Sequence, residues 1–114
     1  MPLFSDSKRA RLLANGVHAA RSEAFDPVPV VKLITPNANA AWLLSELDPR
    51  DPDRAFGLCD LGLGTPELGY VSLAELETAA RSSGLTVEED SGFRPDRTLS
   101  GYAQAAHAAG RIVT

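Results

Sequence analysis

The sequence has one cysteine, few aromatic residues and no long apolar run. Cys59 cannot form a disulfide within the chain, and one cysteine with two histidines gives none of the usual zinc-ligand spacings. No segment approaches the roughly 20 apolar residues that cross a bilayer. The N-terminal residues carry charges where a secretory signal has an apolar core. We therefore expect a cytoplasmic protein with no membrane contact, metal or cofactor.

Positive charge is also scarce. The 114 residues include 11 Lys and Arg against 15 Asp and Glu, which gives a formal net charge of −4. A general duplex-binding surface needs clustered Lys and Arg to contact phosphates, so this balance argues against one. The local exception is the N-terminal group of Lys8, Arg9 and Arg11. These three residues are the alternative candidates for a nucleic-acid contact, and a solvated helix face is the other interpretation.

The length fits a single domain, residues 1–114, that folds without crosslinks. The densest apolar residues form two strand-length runs, 40–47 and 55–62, separated by the Asp- and Pro-rich segment 48–54. Such a segment reverses the chain, and residues 68–73 follow as a third strand after a second turn. The pattern predicts a β-meander at the centre of the fold.

The register of the first hairpin determines which side chains share a face. If the loop is symmetric, Leu44 lies opposite Leu58 and Glu46 lies opposite Phe56. One face then holds Trp42, Leu44, Phe56 and Leu58, and the other holds Leu43, Leu47, Cys59 and Leu61. Because side chains alternate along a strand, a register shifted by one residue would regroup both sets. The symmetric and the shifted register therefore both stay open.

Helix signals flank the meander. Ser5 or Asp6 caps an N-terminal helix of about residues 5–14, for which Asn15-Gly16 is the expected stop signal. A strand near residue 30 extends the sheet to about 30–71, and further helices are expected at about 73–83 and 99–109. The predicted fold is α+β, with a three- or four-stranded, mostly antiparallel sheet and helices packed on one face.

Four motifs in these elements are distinctive: Phe25-Asp26-Pro27, Trp42-Leu43-Leu44, Phe56-Gly57-Leu58-Cys59-Asp60-Leu61-Gly62 and Glu67-Leu68-Gly69-Tyr70-Val71. With them, nearly the whole chain closely resembles an uncharacterised bacterial family, a domain of unknown function found on plasmids and integrative elements. The resemblance implies a small soluble protein of mobile-element gene neighbourhoods. Relatives sometimes carry a single-stranded-DNA endonuclease label, but the resemblance implies no catalytic residues.

An endonuclease of this kind needs two or three carboxylates that hold Mg²⁺ or Mn²⁺, which activates water and stabilises the leaving oxygen. Glu46 and Asp48 are the candidate ligands, because they lie two residues apart on one strand face, with Asp51 or Asp53 as further donors. Asp60 lies roughly 13 Å from Glu46 at about 3.3 Å per residue, too far to share a metal. The competing interpretation of Glu46 and Asp48 is a strand end and a polar turn.

Asp60 interrupts an apolar strand, and a buried carboxylate must find hydrogen-bond partners or become neutral. We expect it to anchor the turns within residues 62–69, with a site carboxylate as the alternative.

The lack of a coherent catalytic constellation favours a non-catalytic accessory protein that binds a host or element-encoded protein. Clustered carboxylates imitate phosphate spacing and steer association, so an anti-defence inhibitor, anti-CRISPR-like or DNA-mimicking, is the specific form expected. The alternative is a metal-dependent single-stranded DNA endonuclease. The expected partner-binding residues are Asp51, Asp53, Glu88, Glu89 and Asp90.

Overall fold

The computed structural model describes residues 3–114, which form three α-helices and five β-strands. The elements in chain order are α1 (Asp6–Ala19), β1 (Val31–Ile34), β2 (Ala41–Asp48), β3 (Asp51–Asp60), β4 (Glu67–Ser72), α2 (Leu73–Ser82), β5 (Glu88–Glu89) and α3 (Leu99–Ala109). All strand pairs are antiparallel, in the order β4-β3-β2-β1-β5. Within residues 3–114, no helix has the length and apolar character needed to cross a membrane.

The fold is α+β, but the sheet has five strands, so the prediction of three or four was too low. The fifth strand, β5, is two residues long and pairs with β1 on the side opposite β2. A strand this short carries no periodicity of its own in the sequence. Its position follows from pairing with a residue more than 50 positions away, Leu33 with Glu89.

A β-bulge at Ser45 divides the register of the β2–β3 hairpin. On the loop side Glu46 lies opposite Phe56, as the symmetric loop predicts. Beyond Ser45 the pairing shifts by one residue, so the predicted Leu44–Leu58 pair is wrong. The extra residue is held in place because the buried Ser45 hydroxyl donates to the Phe56 carbonyl at 3.3 Å.

The shift makes both faces of the sheet apolar, and helices cover both. Trp42 and Leu44 face α1 and α2, in a cluster with Leu47 and Ala55. Leu58 lies on the opposite face, against α3. The prediction of helices on one face is therefore wrong, as is the grouping of Trp42 with Leu58. The cluster on the α3 face contains Leu43, Leu58, Leu99, Tyr102, Ala103 and Ala106.

Helix α1 continues through Asn15-Gly16, the pair expected to end it. Gly16 is buried where the helix meets β2, and a Cβ on it would lie 1.9 Å from the Leu47 carbonyl oxygen. Asn15 donates from Nδ2 to the Ser45 carbonyl at 2.9 Å. The two residues dock the helix on the bulged strand, because only glycine permits this separation of the two backbones.

Asp60 anchors two segments at the end of β3. The carboxylate is 2% exposed, and it accepts from the Gly62 N–H at 2.8 Å and the Ile112 N–H at 2.9 Å. The expected anchor to the following turn is confirmed. The second bond, which ties down the chain after α3, was not predicted.

Candidate functional site

Helix α3 leaves part of its sheet face uncovered. Two adjoining grooves there have volumes of about 440 and 320 Å³ and share Glu46 and Phe56 as lining residues. One runs past Tyr70 to the C-terminal end of α1, and the other runs past Leu68 to residues 23–27. We call the two together the sheet groove.

The floor of the sheet groove is a row of three side chains on three neighbouring strands. Glu46 on β2 lies opposite Phe56 on β3, which lies opposite Tyr70 on β4. The two rings are tilted by 60° with centroids 4.9 Å apart, a favourable arrangement for an aromatic pair. Tyr70 is 54% exposed, so half of its surface remains free for contact.

Arg54 connects the row to the hairpin loop. Its guanidinium carbon lies 3.8 Å from the Tyr70 ring centroid, and its Nη1 lies 3.6 Å from Asp48 Oδ2. Asp48 also accepts from the Arg50 N–H at 2.9 Å, which closes the turn. The cation–π contact and ion pair thus engage both Arg54 and Asp48 within the protein.

Glu46 differs from Asp48 in having no basic side chain within ion-pair distance among residues 3–114. Burial, and secondarily the negative charge of Asp48, raise the pKa of the Glu46 carboxyl. The half-buried Glu46 carboxylate on the groove floor therefore has no positive charge beside it among residues 3–114.

Glu46 and Asp48 line the same groove, as their spacing predicts. The loop carboxylates do not complete a metal site with them. Across residues 3–114, no three His, Cys, Asp or Glu side chains come together in a way that would hold a metal ion. A Mg²⁺ or Mn²⁺ ion bound by Glu46 and Asp48 would have two of the several oxygen ligands it requires, and water or substrate would have to supply the others.

Asp53 caps helix α2. Its carboxylate accepts from the Ala74 N–H at 2.9 Å and from the Ser72 hydroxyl. The hydrogen bond from Ser72, followed by that from Ala74, lowers the pKa of Asp53. Asp51 is exposed, and its carboxylate accepts from the Asp53 N–H at 3.3 Å.

The acidic segment after α2 is largely neutralised by basic residues of the same chain. Glu89 forms an ion pair with Lys8 of α1, and Asp90 lies 3.7 Å from Lys32 Nζ. The predicted acidic and basic surfaces therefore meet each other at this edge of the sheet. The predicted contact residues that are exposed and lack an ion pair within residues 3–114 are Asp51, Asp53, Glu88, Arg9 and Arg11, and of these Asp53 accepts hydrogen bonds at the start of α2.

Sequence reasoning did not identify Phe56, Tyr70 or residues 23–27 as part of a site. The symmetric loop predicts the pairing of Glu46 with Phe56, and this prediction holds because both residues lie on the loop side of the bulge. The position of Tyr70 depends on the register of the third strand. Residues 23–27 reach the groove only through the tertiary fold.

The fold and the groove define a small α+β domain with an open, aromatic-floored sheet face. A family model described as a protein of unknown function, DUF2958, matches residues 3–113, and the chain belongs to this family. No curated protein and no solved structure matches the chain.

Proposed function

We propose that this protein is a non-catalytic accessory protein that binds a partner protein through the sheet groove and strand β4. The observation that carries the proposal is the exposed apolar row beside Phe56, in which Tyr70 is 54% and Leu68 is 43% exposed. Apolar surface of this kind, rimmed by charged residues, is typical of interaction sites. Tyrosine and arginine are also enriched among residues that dominate binding energy.

The unpaired edge of strand β4 is a second reason to place the binding surface here. Within the part of the chain that the structure describes, β4 pairs with β3 alone and forms one edge of the sheet, so its outer backbone groups are open to a partner. Exposed edges are commonly protected by Lys, Pro or a bulge, and residues 67–72 contain neither Lys nor Pro. The preceding loop adds Leu61 and Leu63, which are 62% and 78% exposed.

The mobile-element setting implied by the resemblance makes a host-defence protein the first partner to test. Of the acidic residues expected to contact it, Asp51 and Glu88 remain available for electrostatic steering. Of the other three, Glu89 and Asp90 already pair with lysine side chains, and Asp53 accepts hydrogen bonds from Ser72 and Ala74 at the start of α2. The main contact is therefore assigned to the groove, with the acidic residues in a supporting role.

A metal-dependent single-stranded DNA endonuclease is the second candidate. Glu46 and Asp48 lie in one groove beside Phe56 and Tyr70, whose rings offer stacking surfaces for bases. Incubation with labelled single-stranded and duplex DNA, with Mg²⁺, Mn²⁺ or EDTA, tests this candidate directly. Metal-dependent cleavage that is lost in Glu46→Ala/Asp48→Ala would replace the binding proposal with an enzymatic one.

The binding proposal is tested by affinity capture from a bacterial host lysate with the full chain as bait. Three baits are compared: the unmodified chain, Leu68→Ser/Tyr70→Ser and Asp51→Asn/Glu88→Gln. A specific partner should be retained by the first and third baits and lost by the second. Loss with the acidic variant alone would move the contact to the acidic residues. Circular dichroism and urea denaturation check that each variant is folded.

A further inference from the structure

One half of the sheet groove contains carboxylates and no basic side chain. Its charged lining residues are Glu23, Asp26 and Glu46. Burial acts to raise the pKa of Asp26, but hydrogen bonds from the Ser100 hydroxyl and N–H lower it overall, so this group stays ionised. Neither Glu23 nor Glu46 has a basic side chain within ion-pair distance among the described residues. This half of the groove consequently has an excess of negative charge, in which Glu23 and Glu46 have no basic partner among the described residues.

The same half is walled by apolar side chains. Its lining includes Phe25, Phe56, Leu68 and Leu99. Aromatic faces attract cations through their quadrupole, and apolar walls favour a long aliphatic stem below a charged head group. The neighbouring half adds Arg50 beside Asp48, so the negative excess is confined to the end near Glu46.

We infer that the sheet groove receives a cationic side chain, arginine or lysine, from the partner protein, and that Glu46 binds its charge above the Phe56 ring. This inference rests on the proposed function and names the chemistry of its partner. Charge complementarity selects a cation, since the acidic and basic side chains that the structure describes along this end of the groove are all carboxylic acids. Arginine fits best, because its planar guanidinium forms two parallel hydrogen bonds to a carboxylate and stacks on aromatic rings.

The environment of Glu46 strengthens such a contact. The carboxylate is already half-buried in the free protein, so a cation meets it in a medium of lower dielectric than water. In the β-sheet, Glu46 and Phe56 are directly opposite each other, which places carboxylate and ring on one side of the incoming group.

The test is an NMR titration of the full ¹⁵N-labelled chain with N-acetyl-arginine amide. N-acetyl-citrulline amide, which has nearly the same shape but no charge, is the matched ligand. Glu46→Gln is the matched variant, and Glu75→Gln, an exposed carboxylate on α2 over the other sheet face, is the control for a general loss of negative charge. Arginine amide should give saturable shifts at the amides of Glu46, Phe56 and Leu68. Binding should weaken at least tenfold with citrulline amide or in Glu46→Gln, and stay unchanged in Glu75→Gln.

The inference is overturned if arginine and citrulline amides shift the same resonances equally. It is also overturned if Glu46→Gln binds arginine amide as tightly as the unmodified chain, or if no shifts localise to the groove. A captured partner whose binding is unaffected by Glu46→Gln would refute the cation contact and leave the proposed function intact. A partner that is retained by Leu68→Ser/Tyr70→Ser would refute the proposed function independently of this titration.

Discussion

Lys8 on α1 and Glu89 on β5 form an ion pair across 81 positions of the chain. Both side chains are partly buried, and the pair ties the first turn of the helix to the edge of the sheet. Lys8 was a candidate nucleic-acid contact and Glu89 a candidate partner contact. In the free protein these two charges therefore contact each other.

A double-mutant cycle of Lys8→Ala and Glu89→Gln should give a coupling free energy of at most about 1 kcal/mol, since partly exposed ion pairs are screened by solvent. Urea denaturation of the four proteins at low salt measures this coupling, and it should shrink at high salt. Pairing Arg9→Ala with Glu89→Gln provides the control, because Arg9 has no ion pair within residues 3–114. Equal coupling in the two cycles would contradict a specific Lys8–Glu89 interaction.

Gly16→Ala should destabilise the protein by about 1–3 kcal/mol, the usual cost of forcing atoms into a packed interface. The sign of the change in unfolding free energy is informative, because replacing glycine by alanine at an exposed helix position stabilises a protein by about 1 kcal/mol. Here the added Cβ would lie 1.9 Å from the Leu47 carbonyl oxygen. Gly69→Ala, whose Cβ would meet no atom within 4 Å, is the control and should change the unfolding free energy little.

Asp60→Ala should cost about 3 kcal/mol, because it removes a charged acceptor from two N–H groups. The Ile112 amide loses its partner, so its hydrogen exchange should accelerate far more than that of amides in β2. Glu67→Ala, an exposed carboxylate on β4, is the comparison. Unchanged exchange at Ile112 in Asp60→Ala would show that the C-terminal segment is held by other contacts.

Asp53→Ala should destabilise the protein most at neutral pH. The pKa of Asp53 in the folded protein lies below its ordinary value of 3.8, chiefly through the hydrogen bond from Ser72 and then that from Ala74. Its contribution is therefore fully present above pH 4 and is lost as the pH falls through the folded-state pKa. Urea midpoints between pH 7 and pH 2.5 should converge for the two proteins at the acid end. Ser72→Ala removes the hydrogen bond that lowers the Asp53 pKa most. In that background, the difference in urea midpoint caused by Asp53→Ala should therefore change less with pH.

Cys59 should react slowly with thiol reagents. Burial raises the pKa of its thiol from 9.0 to about 11, so the thiolate fraction at neutral pH falls roughly 100-fold. Reaction with a disulfide reagent in native buffer should accelerate by at least that factor when urea unfolds the chain. Fast labelling of the folded protein would show that the thiol is accessible and ionised.

The sequence by itself determined the elements whose signals are local. The helix cap at Ser5 and the helices α2 and α3 lie where short-range patterns place them. The meander and the pairing of Glu46 with Phe56 follow from apolar runs on either side of one polar loop. All of these depend on residues within one hairpin or one helical turn, and that is why they can be predicted without the rest of the chain.

Tertiary structure decided the remainder. The bulge at Ser45 is stabilised by Asn15 of α1 and by a hydrogen bond to β3, so the register beyond it depends on packing from outside the strand. The helices on both faces and the strand β5 likewise depend on contacts between distant segments. The same contacts withdraw Lys8 and Glu89 into an ion pair and leave Tyr70 exposed. A residue's availability for binding is thus set by its neighbours in space, which a one-dimensional pattern does not specify.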